Sequence, residues 1–206
     1  MHRPHIITLS GKPGSGKSST SDKLAELLGY TRYSSGDLVR KVAKQHHLTL
    51  EEFNERAKTD HTLDDKVDEE LRKLRDEKDV VIDSRLGFYW IPESFKVYLE
   101  LDIDLASARI FRDSAITQSR IDSGETGSMQ EVVREVKERY ENERERFRAL
   151  YGVDPYNPQR FDLIIDTSRQ NPQSVALTIF DNYKQWLKRD EWEQVRVDVP
   201  VGYSLQ

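Results

Sequence analysis

The sequence predicts an α/β fold built on a parallel sheet, on two observations. Short apolar runs of strand length, HIITL at 5–9, DVVIDS at 79–84, FKVYLEL at 95–101 and FDLIIDTS at 161–168, alternate with longer segments whose apolar residues recur at helical spacing. No internal repeat and no low-complexity linker interrupts this alternation, so strand–helix–strand units can all close on one sheet.

The elements follow in order. HIITL is the first buried strand, and it runs directly into GKPGSGKSS, residues 11–19. KSSTSDKLAELL, 17–28, reads as a helix with Leu24, Leu27 and Leu28 inward and Gly29 as its stop. TRYSSGD reads as a short strand and turn. From Gly36 to Lys78 the pattern is helical in three pieces, VRKVAKQ, LTLEEFNERAK and LDDKVDEELRKLRDEK. Thr49 followed by Glu52 forms a capping box for the second piece. After the strands at 79–84 and 95–101 comes a helix containing LASARIFRD, then a polar, glycine-containing loop at 117–128. MQEVVREVKERYENERERFRALYG is a long amphipathic helix ending near Gly152, and a last helix runs from about Pro172 to Lys188. Residues 1–189 read as a single domain and 190–206 as a C-terminal tail without an assigned role. In the tail, VRVDVPV alternates valine with polar residues, the pattern of an edge strand limited by Pro200.

Composition narrows the function classes. With 206 residues, 36% hydrophobic and 33% charged, the chain suits a soluble domain with a real core. No apolar run approaches bilayer length, and MHRPHIITLS has too short an apolar stretch for a secretory signal. Cysteine is absent, which excludes disulfides and thiolate metal sites and fits a reducing, cytoplasmic setting. A net charge of −5 disfavours sequence-independent nucleic-acid binding, which depends on neutralising many phosphates. A local positive cluster can still hold a small anion. The expected partner is a small molecule, with neither nucleic acid nor membrane, and the chain is expected as a monomer or dimer.

GKPGSGKS fits G-x-x-x-x-G-K-[ST], a phosphate-binding P-loop. Gly11, Gly14, Ser15 and Gly16 let successive N–H groups curl around phosphate oxygens, and the helix beginning near Lys17 aims its positive end at the same point. Lys17 reaches the β- and γ-phosphates, Ser18 offers a hydroxyl to Mg²⁺, and Ser19 follows in the same turn. The strand before the loop and the helix after it supply the context that the motif needs, so ATP or GTP is expected there. Lys12 stands at no motif position and reads as solvated. A GTPase switch is excluded, because no D-x-x-G follows a strand and no N-K-x-D occurs.

Arginine marks a second anion. YSSGDLVR sets two serines and a glycine before a helix, with Arg40 one turn in, and DSRLG sets Asp83 at a strand end with Arg85 just beyond. Eight arginines lie between Arg109 and Arg148. Arginine makes bidentate phosphate contacts, and γ-phosphoryl transfer is chiefly positioning and charge neutralisation. Most of the eight read as a solvated face, Arg134, Arg144 and Arg148 among them. Arg139, Glu143 and Arg146, at i, i+4 and i+7, share a stripe beside the apolar one of Val133, Val136, Tyr140 and Phe147, where side chains can enter a cleft.

At these residues the chain resembles the nucleoside monophosphate kinases, and more narrowly the compact, archaeal-type cytidylate kinases. The resemblance runs from about residue 5 to about residue 185. It rests on GKPGSGKSS, SSGDLVRKVAK, LTLEEFNERAKTD, VVIDSRLG, ERYENERERFRALYGVD and FDLIIDTS. It implies a P-loop NTPase fold: a five-stranded parallel sheet flanked by helices, a monophosphate-binding helical section at about 36–78 and a short lid at about 112–130. It also implies transfer of the ATP γ-phosphate to CMP or dCMP. Ser35, Arg40 and Arg85 would then contact the monophosphate, and Asp83 would orient Mg²⁺ through water. Arg139, Glu143 and Arg146 match R-x-x-x-[DE]-x-x-R, whose first arginine serves phosphate and whose acid and second arginine serve the cytosine edge. Arg112 and Arg120 are the lid candidates, so the implied catalytic set is Lys17, Arg112, Arg120 and Arg139.

The chain departs from the family pattern at Asp83-Ser84-Arg85, where Glu-Gly-Arg is common, and at Arg109 and Arg112, which stand three apart and not four. It departs again in GFYWIP, 87–92, which reads as packing beneath the helical section more than as a base-stacking surface. Two other readings compete with CMP: a P-loop kinase for AMP, dTMP or a small metabolite, and a non-catalytic nucleotide-binding regulator. His46 and His47 gain no role, because an acceptor phosphate is already anionic and needs no general base.

Overall fold

The structure, a computed structural model, describes residues 3–57, 60–116 and 128–198. The strands are β1 Ile6–Gly11, β2 Thr31–Ser34, β3 Val80–Asp83, β4 Phe95–Glu100, β5 Leu163–Asp166 and β6 Val195–Asp198. The helices are α1 Lys17–Leu28, α2 Ser35–Gln45, α3 Leu50–Ala57, α4 Thr62–Lys73, α5 Gly87–Trp90, α6 Ile103–Ile116, α7 Met129–Tyr151 and α8 Pro172–Trp186. All strand pairs are parallel, in the order β2-β3-β1-β4-β5-β6.

The strands are nearly continuous apolar runs because both sheet faces are covered. Ile7, Leu9, Val81, Val97, Leu99, Leu163 and Ile165 pack with Leu24 of α1 and with Val175, Ile179 and Tyr183 of α8. The alternate residues Ile6, Val80 and Ile82 face the opposite way, onto Leu38, Val42, Phe53, Leu63, Val67 and Leu71 of α2–α4. Tyr98 and Ile164 meet Phe88, Val153 and Phe161 on the same side. The period of two along each strand divides the core into layers.

Local signals behave as the sequence implies. Thr49 and Glu52 exchange side-chain and main-chain hydrogen bonds at 2.7 and 3.1 Å, a complete capping box. Gly29 closes α1, and Gly152 closes α7. The run GFYWIP contributes the single turn α5 and packs as expected. Trp90 Nε1 donates to Asp68 of α4 at 3.0 Å, and the Phe88 ring lies 4.8 Å from that of Phe161.

The sheet has six strands, not the five that the resemblance implies. The sixth is β6, from the tail, paired with β5 from Leu163↔Val195 to Asp166↔Asp198. It satisfies the edge of β5, half-buries Val195 and Val197 against the core, and turns Arg196 outward to pair with Glu100. Pro200 and the expected lid loop 117–127, with Arg120, lie outside the described residues.

Candidate active site

The register aligns the carboxyl ends of the three strands that carry the motifs. Leu9 and Ser34 both pair with Asp83, and Gly11 pairs with Leu99. The loops that follow β1, β2 and β3 therefore meet at one edge of the sheet, where open α/β sheets bind ligands.

The loop after β1 is pressed onto its neighbours through its backbone. A Cβ on Gly11 would stand 2.5 Å from the Leu99 carbonyl and 2.7 Å from Ser15 Oγ. At Gly14, where φ is +74°, it would stand 2.9 Å from the Ala106 carbonyl. Gly16 caps α1 without a side-chain hydrogen bond, which leaves first-turn N–H groups for an anion. Ser15 Oγ is buried and makes no hydrogen bond. The Lys17 ammonium donates to the carbonyls of Gly11 and Lys12, each at 2.8 Å. Burial, helped by the nearby Arg85 charge, lowers its pKa to about 7.

Beside the loop, Ser18 Oγ donates to Asp83 Oδ2 at 2.8 Å. Arg32, from β2, reaches the same pair: Nη2 lies 3.2 Å from Ser18 Oγ and 3.4 Å from Asp83 Oδ2, and Nε donates to Ser21 Oγ at 2.8 Å. Among the described residues no group of three or more His, Cys, Asp or Glu side chains could hold a metal alone. A hydroxyl beside a carboxylate does fit Mg²⁺, which keeps several waters and takes its remaining oxygens from phosphates.

Across from the loop lies a cleft of about 250 Å³ between α2, α4, the β3–α5 turn and α7. Ser35, Arg40, Arg85, Arg139, Glu143 and Arg146 all line it. Its centre is a charge cluster. Glu143 pairs with Arg85 and with Arg139, the latter at 3.1 Å, and accepts a hydrogen bond from the Tyr156 hydroxyl. Burial alone would raise the Glu143 carboxyl; Arg85, Arg139 and Tyr156 outweigh it and hold the group below its ordinary value. Arg40, mostly exposed at the rim, pairs with Asp37. The cluster and the loop are electrically one site, since the Lys17 ammonium feels the charges of Arg85, Asp83, Glu143 and Arg139.

The remaining candidates lie apart. Ser19 is exposed on α1. Arg112 is 71% exposed on α6, pairs with Asp113 and does not line the cleft. Arg109 instead turns inward and donates to the Thr167 and Ser168 carbonyls. Of the arginines read as surface, Arg144 and Arg148 both hold Asp154, at 2.9 and 2.6 Å, and so tie the end of α7 to the following loop.

Sequence reasoning missed Arg32, Asp64, Asp68 and Tyr156. Two of these carry a legible signal: Asp64 and Asp68 interrupt the inward stripe of Leu63, Val67 and Leu71 on α4, an unusual place for acids. Asp68 is held there by Trp90 Nε1 and the Tyr151 hydroxyl, and burial pushes its carboxyl up despite both bonds. Arg32 and Tyr156 reach the site only through the tertiary fold.

Several solved structures share this fold. A shikimate kinase from Acinetobacter baumannii in complex with shikimate superposes with a TM-score of 0.56 at 16% identity, covering 89% of this chain and 95% of that one. An uncharacterized protein from Eubacterium ventriosum reaches 0.64 at 15% identity, covering 87% and 98%. At such identities they show the fold, that of the P-loop kinases. Sequence relatives say more. The cytidylate kinase of Halobacterium salinarum is 32% identical over 90% of this chain and 93% of its own length, and that of Ignicoccus hospitalis 33% over 84% and 96%. An S-adenosylmethionine-dependent nucleotide dehydratase of Lacinutrix mariniflava is 33% identical over 87% of this chain, which spans only 36% of that longer protein. Residues 6–169 match the cytidylate kinase-like family. With that match over most of its length, and with the two cytidylate kinases covered almost end to end, the chain belongs to the cytidylate kinase-like family.

Proposed function

We propose that the chain transfers the γ-phosphoryl group of ATP to a nucleoside monophosphate, with CMP and dCMP as its acceptors. The observation that carries this reading is the convergence of Ser35, Arg40, Arg85, Arg139, Glu143 and Arg146 on one cleft within electrostatic reach of Lys17. A phosphate loop alone suits any nucleotide-binding protein; a second, arginine-rich cleft facing it suits transfer between two anions.

In this mechanism the main-chain amides of Gly11 and Gly14–Ser19 and the Lys17 ammonium hold the β- and γ-phosphates of ATP. Ser18 and Asp83 would hold Mg²⁺, which supplies charge neutralisation on those phosphates when bound. The acceptor monophosphate enters opposite, taking Arg85 and Arg139 from Glu143 and Arg40 from Asp37, with Ser35 adding a hydroxyl, and the released Glu143 faces the cytosine edge with Arg146. Exchange of one anion for another keeps the arginines placed before the acceptor arrives, so little reorganisation accompanies transfer. The acceptor oxygen is already negative, and the protein aligns it and screens repulsion without a general base. Helices α2–α4, within 36–78, serve as the monophosphate-binding section. Residues 112–130, with Arg112 and Arg120, serve as the lid that excludes water, all within one unit of 1–189. The remaining expectations are a cytoplasmic monomer or dimer without nucleic-acid or membrane partners; among the described residues no helix is long and apolar enough to cross a membrane.

A coupled assay of ADP release tests this with CMP, dCMP, UMP, AMP and dTMP in turn. Turnover with CMP or dCMP well above the rate with water alone is expected. Turnover with a different acceptor only would overturn the assignment of the base, and turnover with none would overturn the kinase reading.

A further inference from the structure

We propose that Arg32 is a positioning residue for the metal pair: its guanidinium holds Ser18 and Asp83 in the nucleotide-free protein and keeps a divalent cation from settling there unless the cation arrives with the nucleotide. This rests on the nucleotide-kinase reading above, in which Ser18 and Asp83 serve Mg²⁺, and adds to it the residue that governs when that pair is free.

Asp83 stands at the end of β3 with its side chain only 8% exposed. A carboxylate so placed needs a partner, because a buried charge without one is costly. Among the described residues its side chain accepts from two groups, the neutral Ser18 hydroxyl at 2.8 Å and Arg32 Nη2 at 3.4 Å. Lys17 and Arg85 feel its charge, but Lys17 donates to the loop carbonyls and Arg85 pairs with Glu143. Arg32 is thus the cation in direct contact with Asp83, and the same Nη2 lies 3.2 Å from Ser18 Oγ.

The other side of the guanidinium is tied to α1. Nε donates to Ser21 Oγ at 2.8 Å and lies 3.1 Å from Asp22 Oδ1. Ser21 is fully buried, and its hydroxyl donates to the Ser18 carbonyl at 2.8 Å. One hydroxyl therefore fixes both the backbone that carries Ser18 and the guanidinium that touches the Ser18 side chain. Nη1 lies 3.8 Å from Asp37 Oδ2, a second carboxylate on the side away from α1.

A guanidinium and a metal ion compete for the same oxygens. Ser18 and Asp83 alone offer few ligands to Mg²⁺, which takes most of its oxygens from water and phosphate. With the Arg32 charge against them, they hold free metal weakly. The phosphates of ATP add both oxygens and negative charge, and the balance then tips away from Arg32, which keeps its anchors on Ser21 and Asp22.

The test is Mn²⁺ binding to the nucleotide-free protein, followed by electron paramagnetic resonance, in the wild type, Arg32→Met, Arg32→Gln and the double variant Arg32→Met with Asp83→Asn. Thermal melting with and without Mg²⁺ is the second reading. Arg32→Met should bind Mn²⁺ roughly 10-fold more tightly than the wild type, the low end of the hold that an adjacent guanidinium has on a carboxylate. The double variant should lose that gain, which places it at Asp83 and not at other surface acids. Without metal, Arg32→Met should melt below the wild type, because Asp83 has lost its cation, and Mg²⁺ should recover the loss. Arg32→Gln should behave in the same way, and it decides the matter if Arg32→Met does not fold. Affinity no higher than that of the wild type, a gain that survives Asp83→Asn, or a melting loss that Mg²⁺ does not recover overturns the inference and leaves Arg32 a structural tie; transfer to CMP by the wild type would still keep the kinase reading. The expected gain at Asp83 in a protein that phosphorylates no nucleoside monophosphate supports the role of Arg32 and removes the kinase reading instead.

Discussion

The loop that follows β1 and the cleft between α4 and α7 both offer positive charge to an anion, but they make it from different material. The loop uses main-chain N–H groups, a helix terminus and one lysine, all drawn from a single stretch of residues 11–19. The cleft uses guanidinium groups from α2, the β3–α5 turn and α7, and it balances them with Glu143, Asp37 and Asp64. Backbone positive charge is fixed by the fold and needs no counterion. Side-chain positive charge packed this densely needs acids beside it, both to stay placed and to limit mutual repulsion. In the proposed mechanism the donor half is therefore preformed geometry, and the acceptor half is a preformed charge balance that an incoming anion would re-form.

The largest effect that divides the two halves is expected from Lys17→Met. It would remove the ammonium that the proposed mechanism sets on the γ-phosphoryl group and should lower kcat/KM roughly 10²- to 10³-fold, the magnitude typical for a transition-state charge contact, while binding of CMP alone persists. Equal loss of CMP affinity, measured by calorimetry, would break the division. Arg85→Lys comes next. It keeps a charge but loses the planar fork that faces Glu143, so the KM for acceptor should rise roughly 10- to 100-fold with the KM for ATP nearly unchanged. Parallel rises in both would show that the halves are not separable.

Gly11→Ala tests the backbone half directly. Its Cβ would meet the Leu99 carbonyl at 2.5 Å, and the forced shift should cost about 1–3 kcal/mol of stability in chemical denaturation and weaken ATP far more than CMP. The smallest effect is a proton. The Lys17 ammonium titrates at about 7 in the free protein against 10.5 for an ordinary lysine. Its burial therefore opposes folding at low pH, and that penalty is relieved as pH rises from about 7 towards 10.5. At pH 8 the group is mostly neutral, and bound phosphate restores its charge. Calorimetry of ATP binding at pH 8 in buffers of different ionisation enthalpy should register uptake of most of a proton, absent in Lys17→Met. No uptake in the wild type would mean that the free lysine already carries its proton at pH 8.

The same contrast explains what was legible in the sequence. The loop is contiguous, so its glycines, Lys17 and Ser18 announce themselves at fixed spacing. Asp83 and Arg85 were readable because a strand end followed by a turn is a recognisable place. The stripe of Arg139, Glu143 and Arg146 was readable because helical spacing fixes which side chains share a face. What spacing does not encode is which element a stripe will meet. The link between Arg85 and Glu143 joins the β3–α5 turn to α7, and the convergence of Arg32 on Ser18 and Asp83 depends on β2 lying beside β3. The sixth strand was readable as an edge strand from its alternation, but its place beside β5 is decided by the open sheet edge. The single turn α5 is too short to show any period.

Two anions held end to end in one site are the centre of the proposed mechanism. Incubating the enzyme with ATP labelled at the γ-phosphate, CMP and Mg²⁺, and following the label by ³¹P NMR or thin-layer separation, tests this most directly. The expected result is label in the β-position of CDP, matched mole for mole by ADP. Label appearing only as inorganic phosphate, with CMP unchanged, would contradict it.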